Sequence, residues 1–94
     1  MPFYDTHSKA YEVIPKGSPV SVSAAFSIDG DVKPMLFQVE DINGVRTKNH
    51  IVGIKYTKNI DSGISYRVYY MAGNQRLECS LNYYPTLNTW YLEM

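Results

Sequence analysis

The chain has 94 residues, 45% hydrophobic and 14% aromatic, with nine Lys/Arg balanced by nine Asp/Glu. That is one domain, long enough to fold without disulfides or metals, and too apolar for a disordered chain. A single cysteine, Cys79, excludes an intramolecular disulfide and suits a reducing compartment.

The aromatic share is nine Tyr, three Phe and one Trp. Tyr suits a pleated, half-buried surface, so the bias favours an all-β domain. The first residues lack a basic start and an apolar run, and no apolar stretch approaches membrane-spanning length. The expectation is a cytoplasmic, soluble protein with no membrane contact. Charge is uneven along the chain. Residues 1–43 hold three Lys against six Asp/Glu (−3), residues 44–76 six Lys/Arg against Asp61 (+5), and residues 77–94 only Glu78 and Glu93 (−2). A basic middle third can mark phosphate contact. Lysines that keep strand edges soluble explain it more simply, in a chain whose overall pI is near 6.7.

Residues 1–18 read as an N-terminal arm of undecided structure. Ala10–Ile14 suits a short edge strand, and Thr6 suits the cap of one helical turn. Pro15, Gly17 and Pro19 then interrupt any regular element. The all-β domain proper spans 19–94.

From Val20 the pattern alternates: Val20, Val22, Ala24, Phe26 and Ile28 against Ser21, Ser23, Ala25 and Ser27. This predicts a long strand with one buried face. Asp29-Gly30-Asp31 marks a turn, and Met35–Val39 a second strand. Asn43-Gly44 predicts a two-residue type I′ hairpin with Ile42 opposite Val45. A strand over Ile51–Thr57 follows, with Val52, Ile54 and Tyr56 on one face.

The C-terminal strands can be registered by arithmetic. Gly73-Asn74 suits a type II′ turn, which takes Gly first. Ala72 then faces Gln75, Tyr70 faces Leu77, Val68 faces Cys79, Tyr66 faces Leu81 and Ile64 faces Tyr83. All are apolar pairs except at the turn, and a one-residue slip would destroy them. A four-residue loop, Pro85–Asn88, sets Tyr84 opposite Thr89, Tyr83 opposite Trp90 and Leu81 opposite Leu92. A five-residue loop at 58–62 sets Tyr56 opposite Ile64, Ile54 opposite Tyr66 and Val52 opposite Val68. The expected fold is a small antiparallel barrel or rolled sheet of five to six strands in meander order. A barrel of this size is filled by its own side chains.

Several residues form a moderately distinctive set: Phe26, Asp29-Gly30, Pro34 and Phe37; Gly63-Ile64, Tyr66 and Val68; and the closing Trp90-Tyr91-Leu92-Glu93. In these the chain resembles a group of small uncharacterised bacterial all-β proteins. The resemblance implies a compact single-domain fold and no established activity or catalytic residues.

Nothing in the pattern specifies chemistry. CxxC, HExxH, Walker and GxSxG motifs do not occur, and Cys79 with His7 and His50 shows no zinc-ligand spacing. Asp29-Gly30-Asp31 lacks the other ligands of a calcium loop. The expectation is no enzyme, no cofactor and no metal. Three adjacent aromatic pairs, Tyr69–Tyr70, Tyr83–Tyr84 and Trp90–Tyr91, each send one ring inward and one outward on a strand. The candidate outer face is Arg67, Tyr69, Met71, Arg76, Tyr84 and Tyr91. Tyr there suits a protein partner, including a second copy of the chain. The same tyrosines with Arg67 and Arg76 would suit single-stranded nucleic acid, but Glu78 and Glu93 on that face oppose it. The leading expectation is a non-enzymatic, self-associating interaction module.

Overall fold

The computed structural model describes residues 13–94. Six strands follow one another: β1 (Ser18–Phe26), β2 (Val32–Glu40), β3 (Arg46–Ile60), β4 (Gly63–Ala72), β5 (Gln75–Tyr84) and β6 (Thr89–Glu93). They form a closed antiparallel barrel in meander order, as expected. The alternatives for Thr6 and for Ala10–Glu12 lie outside the described residues; Val13–Gly17 carry no regular structure.

The C-terminal register is the one the apolar pattern demands. β4 pairs with β5 from Ile64 opposite Tyr83 to Ala72 opposite Gln75. β5 pairs with β6 from Ser80 opposite Glu93 to Tyr84 opposite Thr89. Gly73 carries the positive φ (63°) that a type II′ turn requires at its first position. Closure comes from three residues: Ser18, Pro19 and Val20 of β1 face Leu92, Tyr91 and Trp90 of β6.

The Asn43-Gly44 expectation is corrected. Ile42 does not pair with Val45; three residues, Ile42–Gly44, separate Asp41 from Val45, which are hydrogen-bonded to each other, and Glu40 faces Arg46 beyond them. The cause is Asp41. Its Oδ1 accepts from the amides of Asn43 and Val45 (both 2.9 Å), while its own amide donates to the Val45 carbonyl (3.0 Å). Gly44, at φ 80°, closes the loop in the left-handed region. The β1–β2 loop repeats the design. The Ser27 Oγ accepts from the Asp31 amide (3.0 Å), the Ser27 amide donates to the Asp31 carbonyl (2.8 Å), and Gly30 has φ 87°. Asp29-Gly30-Asp31 therefore does lie at a turn. Both tips hold an isoleucine in open solvent, Ile28 and Ile42.

The β3–β4 register also differs from expectation. The loop is Asp61-Ser62 alone, with Ile60 facing Gly63 and Ser62 at φ 63°. Tyr56 faces Arg67, not Ile64, and Ile54 faces Val68, not Tyr66. Two register shifts, between Ile51 and Gly53 and between Ile54 and Tyr56, leave Val52 and Lys55 as extra residues. Such bulges bend a strand, and bends let one strand serve two sheets. Here the first five residues of β3 pair with β2, and the rest pair with β4. β1 likewise pairs with β6 at its start and with β2 from Ser21 onward. Alternation within one strand therefore does not mean one buried face: Val52 and Tyr56 are exposed, and Phe26 is 70% exposed on the projecting β1–β2 hairpin.

The core is Phe37, Tyr66, Val68, Tyr70, Cys79 and Leu81, with Val20, Val22, Ile51, Ile64, Leu77, Tyr83, Trp90 and Leu92 packed around it. Phe37 meets Tyr70 edge-on at 5.1 Å, and Trp90 lies 4.8 Å from Tyr83 and 5.6 Å from Tyr66. The inward members of the three aromatic pairs thus fill the barrel.

Cys79 is fully buried among these side chains. Burial pushes its thiol up to about 11, against a lesser opposing pull from Arg67. Folding therefore favours the neutral thiol, and this stabilisation is complete below about pH 9 and lost as pH rises from 9 towards 11. Stability should fall by about 2–3 kcal/mol over that window. Denaturant melts at pH 8 and pH 10.5 should show a smaller fall for Cys79→Ala than for the natural chain. Equal falls would remove Cys79 as the source. Burial also raises the phenols of Tyr66 and Tyr70, so both proteins lose further stability above pH 10.

Candidate interaction surface

Alternation places Arg67, Tyr69 and Met71 of β4 on the outer face, opposite Ser80, Glu78 and Arg76 of β5. β3 extends this face with Tyr56 opposite Arg67 and Gly53 opposite Tyr69. The predicted site residues divide into two groups with different surroundings.

The first group surrounds an ion network. Arg67 donates from Nε to Glu78 Oε1 (3.1 Å), and from Nη1 to Ser80 Oγ and to the Met94 carbonyl (both 3.1 Å). Lys55 reaches the same Glu78 carboxylate at 3.3 Å. The Arg67 hydrogen bond is the main reason the Glu78 carboxyl lies below its ordinary range, with Lys55 adding to it. Arg67 thus has its guanidinium committed within the chain. Arg76 lies over the Tyr69 ring, 4.4 Å from its centroid, a cation–π contact that covers one face of the phenol. Gly53, with no side chain, leaves the Tyr69 ring room across the strand pair, within ordinary contact of where a Cβ would stand. Met71 and Tyr56 are exposed, at 36% and 46%.

The second group is not a free surface. Tyr84, expected to point outward into solvent, is 2% exposed. Its hydroxyl accepts from the Lys16 amide (3.0 Å), and Tyr91 packs edge-on against its ring at 5.7 Å. The neighbouring Asn82 is 1% exposed, and its Nδ2 donates to the Lys16 carbonyl (3.1 Å) and to Glu93 Oε1 (2.9 Å). The chain just before β1 therefore straps this end of the outer face. Gly17 makes that approach possible, because its backbone passes directly against the Leu92 carbonyl. Tyr91 is half-buried at the edge of the strap.

The open candidates are thus Tyr69, Met71 and Arg76, joined by Tyr56; Arg67 is their paired centre, and Tyr84 is removed. Tyr56 escaped sequence reasoning because the bulge at Lys55 reversed its face. The one available signal was Gly53, a glycine inside a strand pattern, which marks a bulge or close approach. His50, the histidine in the described part, is exposed on β3 and faces Leu36. Among the described residues, no three His, Cys, Asp or Glu side chains gather as metal ligands.

The chain matches no protein-family model, no curated protein and no solved structure.

Proposed function

We propose that this protein is a non-enzymatic interaction module that self-associates through the open half of its outer face, Tyr56, Tyr69, Met71 and Arg76. The observation that carries this reading is the internal pairing of the patch centre, where Arg67 and Lys55 share the Glu78 carboxylate. Arg67, Glu78 and Lys55 already satisfy one another, and Arg67 also holds Ser80 and the Met94 carbonyl. Covering charges that are paired costs far less than covering charges that are not. Around them lie two tyrosines and a methionine, residue types enriched at the centres of interfaces. A second copy would meet aromatic and thioether surface around the paired centre, with Arg76 held over the Tyr69 ring. Nucleic acid is less well served, since Arg67 is committed and Arg76 occupies the Tyr69 face on which a base would stack.

Native mass by light scattering, across a concentration series, tests the reading. A dimer is expected, and Tyr56→Ser with Tyr69→Ser should weaken it about tenfold or more, as loss of central aromatic anchors does. A strict monomer at all concentrations, or a dimer unmoved by both substitutions, would overturn it.

A further inference from the structure

A second feature borders this face, at the corner where β2 and β3 part. Their ladder ends at Leu36 opposite His50. Continued in the same register, it would set Met35 against Ile51, Pro34 against Val52, Lys33 against Gly53 and Val32 against Ile54. Instead a cavity of about 210 Å³ lies between these residues, lined by Lys33–Met35 and Ile51–Ile54. It adjoins a wider cleft of about 530 Å³, lined by Gly30–Lys33 on one side and by Ile54, Thr57–Asn59, Ile64 and Tyr66 on the other. Lys33 and Ile54 belong to both. The two strands thus open as a wedge, narrow at Met35 and wide at Asn59.

The cause of the parting is local. Pro34 has no amide hydrogen to donate, and Met35 is an extra residue between Pro34 and Leu36 in the pairing with β1. The extra residues Val52 and Lys55 bend β3 towards β4. Among the described residues, the wedge is therefore walled by two strand edges, each paired on its far side only: β2 with β1, and β3 with β4. Along β3, Ile54 to Asn59 offers an edge about 17 Å long, the length of an ordinary strand.

We infer that the wedge receives an extended acidic peptide of a partner protein, added as a strand to the open edge of β3. The walls specify a polypeptide, because an unpaired strand edge recognises main-chain amides and carbonyls. The side chains specify its character. Met35, Val52 and Ile54 stand exposed along the lips at 46%, 55% and 36%, ready to take alternate apolar residues. Among the described residues, Lys33 and Lys58 line the cleft and form no ion pair, and Asp31 is the one carboxylate in the lining. Acidic residues between the apolar ones would meet those lysines. The Tyr66 phenol is part of the lining, and burial chiefly, and then Asp31, raise it above its ordinary value. It can donate to a peptide carbonyl.

The test uses the full chain and a fluorescein-labelled eight-residue peptide of alternating glutamate and valine, followed by anisotropy. Binding is expected to be about tenfold or more tighter than that of the lysine–valine counterpart, and Lys33→Glu with Lys58→Glu should reverse the preference. N-methylation of alternate backbone nitrogens should weaken binding by about tenfold or more, because each lost main-chain bond leaves a carbonyl unpaired. Bound peptide should slow hydrogen exchange at the open-edge amides of β3. No binding at millimolar peptide, or equal binding of the N-methylated form, would overturn the inference. So would a native dimer that Lys33→Glu with Lys58→Glu dissociates, which would assign the wedge to a second copy. Tyr56 belongs to both the open edge and the self-association face; repeating the titration on the Tyr56→Ser, Tyr69→Ser chain, which keeps both lysines and the β3 main chain, makes failure here separable from failure of the self-association reading.

Discussion

Phe37→Ala is expected to lower stability by about 3–5 kcal/mol, the range for removing a buried phenylalanine. Phe37 is 2% exposed, and it is the one large aromatic that β2 contributes to the core. Its ring packs edge-on against Tyr70, which β4 supplies from the opposite wall. Truncation leaves a cavity between two walls held apart by their own ladders, so little collapse can relieve it. A domain of this size has roughly 5–15 kcal/mol in total, and one such loss takes much of it. Urea melts would measure the change. Met35→Ala, two residues earlier and exposed in the bulge, serves as the comparison and should cost under about 1 kcal/mol. Equal losses at the two positions would refute the assignment of Phe37 as the link between walls.

Gly17→Ala should cost about 2–6 kcal/mol through two separable causes. Gly17 has φ 101°, a conformation that costs an L-residue about 1–3 kcal/mol. An added Cβ would also press into the Leu92 carbonyl, which is backbone held in the β6 ladder and cannot swing aside. Overpacking of that kind adds about 1–3 kcal/mol. Gly30→Ala separates the causes: φ there is 87°, and nothing stands near its Cβ position. It should show the conformational cost alone. The Gly17 substitution should also release the strap. The Lys16 amide would leave the Tyr84 hydroxyl, and hydrogen exchange at that amide should accelerate sharply. If Gly17→Ala and Gly30→Ala lose the same stability, the contact with Leu92 is not a constraint on the fold.

These two positions mark where local pattern and tertiary structure part company. Phe37 was legible as a strand residue, but not as the particular side chain that spans the barrel. Gly17 read only as an interruption in an undecided arm. Its actual work, bringing the chain against β6 and covering Asn82 and Tyr84, depends on a partner 75 residues away in sequence, since it contacts Leu92. No local rule reports such a contact. The candidate surface divides on the same line. Tyr69, Met71 and Arg76 stayed where alternation put them. Tyr84 has the same alternation and is buried, because the strap lies over it.

By itself the sequence determined an all-β meander and the pairing of the last three strands. Turn chemistry at Gly73-Asn74 and at Pro85–Asn88 agreed there with an unbroken inner face from Ile64 to Leu92. When period, turn and burial all point to one register, no slipped alternative competes. Only the tertiary structure decided the first half. Val52 and Lys55 bulged β3 out of phase. Two strands then divided their length between neighbours. The physical reason is that strand alternation reports a face relative to one neighbouring sheet. A strand that bends to serve two has no single face for a pattern to report.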